Sequence, residues 1–302
     1  MFISVVARSA RTGQPLSFGT MHANAPADPL GPLAALPGVA DTVDSVRTAV
    51  DRLYGHRVMR RRAAEVASEA ALRGARGSAA LSGADWALEE VRRRTDFGDD
   101  DQARTVGAAL RVTAEAGEAL DVWRGTPLRV LARLHLLAAG GPAARAGTAD
   151  TVGRPRLAGE PVTEPLLTDD HPPLPGPEAV AARLDALNQL LVHGSTAPAL
   201  VTAAVVHGEL LTLRPFTSHN GLVARAAQRI VLLGSGLDPK GVAPAEAGHA
   251  ETGTEAYTRA LAGYASGTAA GMAEWIAHCG RAVELGVRES VAVCEALQRG
   301  AA

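Results

Sequence analysis

The feature that most constrains this chain is the stretch around Pro215. Residues 198–213 read as a helix, which Pro215 cannot continue because it lacks an N–H and its ring clashes with the preceding turn. Asn220-Gly221 supplies two residues that tolerate positive φ, and a second helical pattern runs over 221–235. The segment therefore predicts helix, short loop, helix. The second helix presents its free N–H groups and positive dipole end to the loop, which makes a ready anion site. Arg225 lies one turn in, where it can face the same anion.

The rest of the chain is read around that anchor. Val43, Val46, Val50, Leu53 and Tyr54 recur at helical spacing, predicting a helix over 41–72 that ends at a Gly/Ser break over 74–83. Further helices are expected at 85–93, 102–123, 128–139, 177–193, 254–265 and 269–298. Residues 1–40, punctuated by Pro26, Pro29, Pro32 and Pro37, predict an irregular arm with a short strand at Phe2–Ala7. The least regular interior stretch is 140–177, where pieces such as Pro155–Leu157 suit a small hairpin. This divides the chain into an arm (1–40), a helical region (41–125) and a core with C-terminal helices (126–300). With 47% apolar and 21% charged residues, there is material for a sizeable core.

Composition excludes several function classes. Thirty basic against 32 acidic side chains leave no overall footprint for nucleic acid, and the basic run His56–Arg62 reads as a solvated helix face. Arg129 and Arg133 interrupt one of the longest apolar stretches well short of the ~18 residues of a membrane span. Arg8 and Arg11 cut off the apolar start too early for a signal peptide, so no membrane partner and a cytoplasmic location are expected. Cys279 and Cys294, with His278 adjacent, match no zinc spacing; they read as buried helix residues and no metal site is expected. The acidic run Asp96–Asp101 lacks the glycine and the glutamate of a calcium loop and reads as a solvated turn. Gly234-Ser235-Gly236 with Lys240-Gly241 lacks the order of a P-loop.

Arg214-Pro215-Phe216-Thr217-Ser218-His219-Asn220-Gly221-Leu222-Val223-Ala224-Arg225 resembles the signature of the Fic (Fido-fold) proteins, His-Pro-Phe-x-Asp/Glu-Gly-Asn-Gly-Arg-x-x-Arg. Pro215, Phe216, Asn220, Gly221 and Arg225 match it, and His207 stands seven residues ahead of the motif, where the family's preceding helix often carries a histidine. Ser78, Ser82 and Gly83 fall in a segment that resembles the family's inhibitory Ser-x-x-Ile-Glu-Gly. Leu131–Leu137 with Ala146-Gly147 resembles its Leu-His-rich helix and flap glycine, and His171-Pro172-Pro173 a paired proline found in many members. The resemblance implies a mainly α Fic helical fold with a short β-hairpin flap near 145–165. It also implies AMP transfer from ATP to a protein hydroxyl, a protein target or partner, and a homo-oligomer as one possible state.

The departures from that pattern fall on the chemistry. The general base of active members is a histidine; here it is Arg214, which stays protonated and cannot accept a proton. The acidic Mg²⁺ ligand is Ser218, a poor ligand for a hard cation, so Mg²⁺ is not expected to be held. The motif's first glycine is His219, its first arginine Leu222, and the inhibitory glutamate Ser82; the flap arginine is replaced near Asp150. The leading expectation is a degenerate member that binds ATP, AMP or another phosphate ligand through Arg214, Ser218, His219, Asn220, Gly221 and Arg225 and acts through a protein partner. One alternative is an active atypical transferase with His219 as a displaced base. The other is a structural protein whose loop binds nothing.

Overall fold

The computed structural model describes residues 28–98, 100–140, 150–167 and 174–300. Thirteen helices run through them: α1 (Gly31–Ala34), α2 (Val39–Tyr54), α3 (Met59–Ala80), α4 (Leu88–Arg93), α5 (Asp101–Glu118), α6 (Leu120–Gly125), α7 (Pro127–Ala139), α8 (Pro177–His193), α9 (Ala199–Leu213), α10 (Asn220–Gly234), α11 (Ala245–Thr252), α12 (Thr254–Ser266) and α13 (Ala269–Gln298). None is long and apolar enough to cross a membrane.

The anchor pair sits at the centre. Every residue of α9 from Leu200 to Leu213 except Thr202 is buried, and so is α10 from Asn220 to Leu232. A helix apolar on all sides has to be enclosed by others. The two pack along one another, with α5, α7 and α3 against α10 and with α8, α12 and α13 against α9. Glu209, inside α9, is the one acid in that helix, and it is compensated: Arg183 of α8 donates to it at 2.6 Å and Tyr264 of α12 at 3.0 Å. Helix starts follow the sequence chemistry. Asp100 caps α5 by accepting from the Ala103 N–H at 2.7 Å, Thr268 caps α13, and prolines open α7 and α8.

The helices depart from the sequence reading at several points. The helix expected over 41–72 is two helices, because the chain turns at Gly55–Val58. The expected break at 74–83 begins only after Ala80, since Gly74 and Gly77 act as contact residues rather than breakers. A Cβ on Gly77 would stand 2.7 Å from the Ala247 Cα, so α11 lies directly on the α3 backbone. Helix α11 itself was not expected. The described end of the arm is also folded: Asp28 accepts from Leu30 N, Thr196 N and the Ser195 and Thr196 hydroxyls, fastening it to the turn before α9.

The flap differs most. Among the described residues, 150–167 form no hairpin. Pro155, Pro161 and Pro165 remove N–H donors that strand pairing would need. The segment instead pairs with the loop between α9 and α10: Arg156 N donates to Pro215 O at 2.7 Å, Thr163 N to Thr217 O at 2.9 Å, and Thr163 and Ser218 form an isolated parallel bridge. The expected strand at Phe2–Ala7, Ala146-Gly147 and His171-Pro172-Pro173 lie outside the described residues.

Candidate functional site

The loop between the two central helices is held by strain and by one amide. Arg214, capping α9, has φ 44°, and His219, capping α10, has φ 58°; they are the only non-glycine residues with positive φ among those described. Each sits in the left-handed region at a cost of roughly 1–2 kcal/mol. Asn220 offsets part of that cost. Its Oδ1 accepts from Phe216 N and its Nδ2 donates to Phe216 O, both at 2.9 Å, closing the loop on itself. Beneath, His135 of α7 stacks on Phe216 with centroids 4.2 Å apart and accepts from Gly153 N at 3.0 Å.

The first turn of α10 points at a carboxyl group that the chain supplies itself. Gly221 N donates to Glu164 Oε2 at 2.9 Å, and Glu164 is only 9% exposed. Burial leaves the Glu164 pKa raised above the usual carboxylate value, with Arg225, the Gly221 and Leu166 N–H groups and Arg214 opposing it in part. The sequence reading did not single out Glu164. Its one signal was position, in an acidic and proline-rich piece ahead of the helices.

Arg225, 1% exposed, is gripped by the end of α3 and the turn that follows it. Its Nε donates to Ser78 Oγ at 2.8 Å, and its Nη2 donates to Ser78 O at 2.9 Å and Ser82 Oγ at 2.7 Å. Nη1 is buried without a hydrogen-bond partner. Two serines and a carbonyl thus hold a full positive charge without neutralising it. Gly83, with φ 91°, lets the chain leave α3 directly beside Pro165.

Arg214 is 8% exposed and points inward, where burial and the like charge of Arg156 lower its pKa and Glu164 raises it. Arg156, a residue the sequence reading passed over, fixes the backbone there: its Nε donates to Arg214 O at 2.8 Å and its Nη2 to Pro175 O at 2.6 Å. Ser218 and His219 are joined to each other through Ser218 Oγ and His219 Nδ1 at 2.8 Å. Burial, with the charge of Arg111, pushes His219 down to about 4, so the ring is neutral and a weak base at pH 7. Its place at φ 58° is the conformation that glycine adopts most easily.

A cavity of about 1200 Å³ opens in front of this loop, with Ser82, Arg111, Glu164, Ser218, His219 and Leu222 among its walls. That volume admits a nucleotide. A phosphate fits the helix terminus only in place of the Glu164 carboxylate. For Mg²⁺ the loop itself offers only the Ser218 hydroxyl where a hard cation favours carboxylate oxygens, and Glu164 faces arginines. His207 does not reach the loop; it is fully buried and paired with Tyr257.

No family model matches the sequence, and no curated protein matches it. Solved structures do match. A Fic family protein from Desulfovibrio desulfuricans G20 superposes with a TM-score of 0.64 at 20% identity, covering 83% of this chain and 74% of that one. C. elegans Fic-1, residues 134–508, gives 0.61 at 18% identity over 85% and 72%. A Fic domain containing signaling protein from Bacteroides thetaiotaomicron VPI-5482 gives 0.58 at 12% identity over 84% and 98%. The helix–loop–helix at the centre of this chain, with the helices around it, is the Fic fold.

Proposed function

We propose that this chain is a Fic-fold pseudoenzyme: a protein that binds a phosphate-bearing ligand, ATP or AMP among the candidates, at the loop before α10 and works through a protein partner instead of transferring AMP. The observation that carries this reading is the split within the motif. The groups that seat an anion, the Gly221 N–H and the Arg225 guanidinium, are in place. The base position carries Arg214, which cannot take a proton from an attacking hydroxyl. The metal position carries Ser218, engaged with a neutral His219.

One further observation favours the second reading, a structural protein whose loop binds nothing: Glu164 already fills the anion seat. The transferase with His219 as base has less support, since a histidine held at about 4 is poorly matched to proton abstraction near neutrality.

The test is restoration. Arg214→His, Ser218→Asp, His219→Gly and Leu222→Arg, combined in one variant, should yield AMP labelling from ATP that the wild type lacks. A folded restored variant that labels nothing would count against the reading. Wild-type labelling that dies with His219→Ala would establish the transferase instead.

A further inference from the structure

Behind the loop, in the core between α9, α11, α12 and α13, lies a second group of chemistry-bearing side chains that the anion seat does not use. One ligand atom each from His207, His249 and Cys279 lies within 4.8 Å of the others, and all three residues are fully buried. They come from three different helices, α9, α11 and α13, which is why no spacing in the sequence announced them.

Hydrogen bonds hold both imidazoles in place within the group. Tyr257 OH lies 2.5 Å from His207 Nε2, and Gln228 Oε1 lies 3.0 Å from His249 Nε2. Outer partners of this kind fix the tautomer and orientation of metal-bound histidines. His207 Nδ1 is left buried with no partner, and His249 Nδ1 meets only His278 Nε2, at 3.1 Å.

We propose that His207, His249 and Cys279 form a three-coordinate site for a thiophilic d¹⁰ ion, Cu⁺ or Zn²⁺. Two imidazoles and a thiolate are the donor set that such ions select. Trigonal bonds of about 2.0–2.3 Å need ligand atoms about 3.5–4 Å apart, so binding draws the three together by about 1 Å. As the sulfur–metal bond forms, the Cys279 thiol releases its proton, one for each ion bound. The charge of Arg225 reaches both histidines. Cu⁺ with a thiolate adds no net charge beside it and is satisfied by three ligands, whereas Zn²⁺ adds one charge and prefers a fourth. His278, partly exposed and in contact with His249, is the route by which the ion reaches the core.

The experiment uses the whole chain, purified from copper- or zinc-supplemented medium and analysed for metal by mass spectrometry. The metal-free protein is then titrated anaerobically with Cu⁺, and separately with Zn²⁺, against a coloured chelator. The expected result is one equivalent of one of the two ions, with a thiolate-to-copper band in the near ultraviolet if it is Cu⁺. Cys279→Val, which keeps the apolar volume, should weaken binding by about a hundredfold or more, and Cys294→Ala should leave it unchanged. Should Cys279→Val not fold, Gln228→Leu, which frees His249 Nε2, should weaken binding about 10–100-fold. Wild type that holds neither ion, or binding that a folded Cys279→Val leaves intact, overturns the proposal.

Discussion

The two ends of the loop between α9 and α10 make an instructive pair. At the far end, Asn220, Gly221 and Arg225 make an arrangement suited to a phosphate: an amide closing the turn, a helix-terminal N–H that Glu164 occupies, and a guanidinium one turn in. At the near end the side chains are an arginine and a serine, Arg214 and Ser218, which supply neither a general base nor a carboxylate. The backbone is alike in quality at both ends, and Arg214 and His219 even accept left-handed conformations to keep its course. Loop geometry and loop chemistry are thus separable. The geometry is written into backbone hydrogen bonds and packing, and it does not depend on which side chains stand at 214 and 218.

The largest test of that separation removes the geometry and leaves the chemistry alone. Asn220→Ala strips both bonds to Phe216 and leaves its buried N–H unsatisfied, so the protein should lose about 2–4 kcal/mol. A urea-midpoint shift corresponding to less than about 1 kcal/mol would mean that the turn is held by something else.

A second test is acid. His135, His219 and His278 are each lowered to about 4, mainly by burial, and His207 and His249 are lowered as well. Their folded-state values lie below the unfolded one, so their contribution is complete above about pH 6.5 and is lost as pH falls toward 4. Charging one such ring in place costs about 3 kcal/mol. Thermal stability should therefore fall steeply between pH 6.5 and 4. His219→Gln should shallow that slope, and an unchanged slope would show that His219 is solvated in its charged form.

The smallest effect sharpens the same point. His219→Gly removes a side chain from φ 58° and should stabilise the fold by about 0.5–1 kcal/mol, even though the bond to Ser218 is lost. Destabilisation would mean that His219 does more for the loop than its backbone suggests.

Much of the fold was legible because the central helices announce themselves. Pro215 and Asn220-Gly221 bracket the loop, and the helices expected at 198–213 and 221–235 are found at Ala199–Leu213 and Asn220–Gly234. The contact between Ser78, Ser82 and Arg225 was legible only through the family resemblance, since nothing local ties residues 143 and 147 positions apart. Glu164 and Arg156 were not legible. Their roles depend on where an irregular, proline-rich segment lies on the loop, and no periodicity encodes that. Gly74 and Gly77 misled for the opposite reason: a glycine that admits a neighbouring helix looks, in sequence, like one that ends its own.

The measurement closest to the central claim is calorimetric binding of ATP and AMP, with and without Mg²⁺, to the wild type, Glu164→Gln and Arg225→Ala. If the anion seat is intact and shielded by its own carboxylate, Glu164→Gln should bind at least about tenfold tighter than wild type, Arg225→Ala should bind more weakly than either, and Mg²⁺ should add little. Folded Glu164→Gln that stays silent at millimolar nucleotide would contradict the account and leave the loop as structure alone.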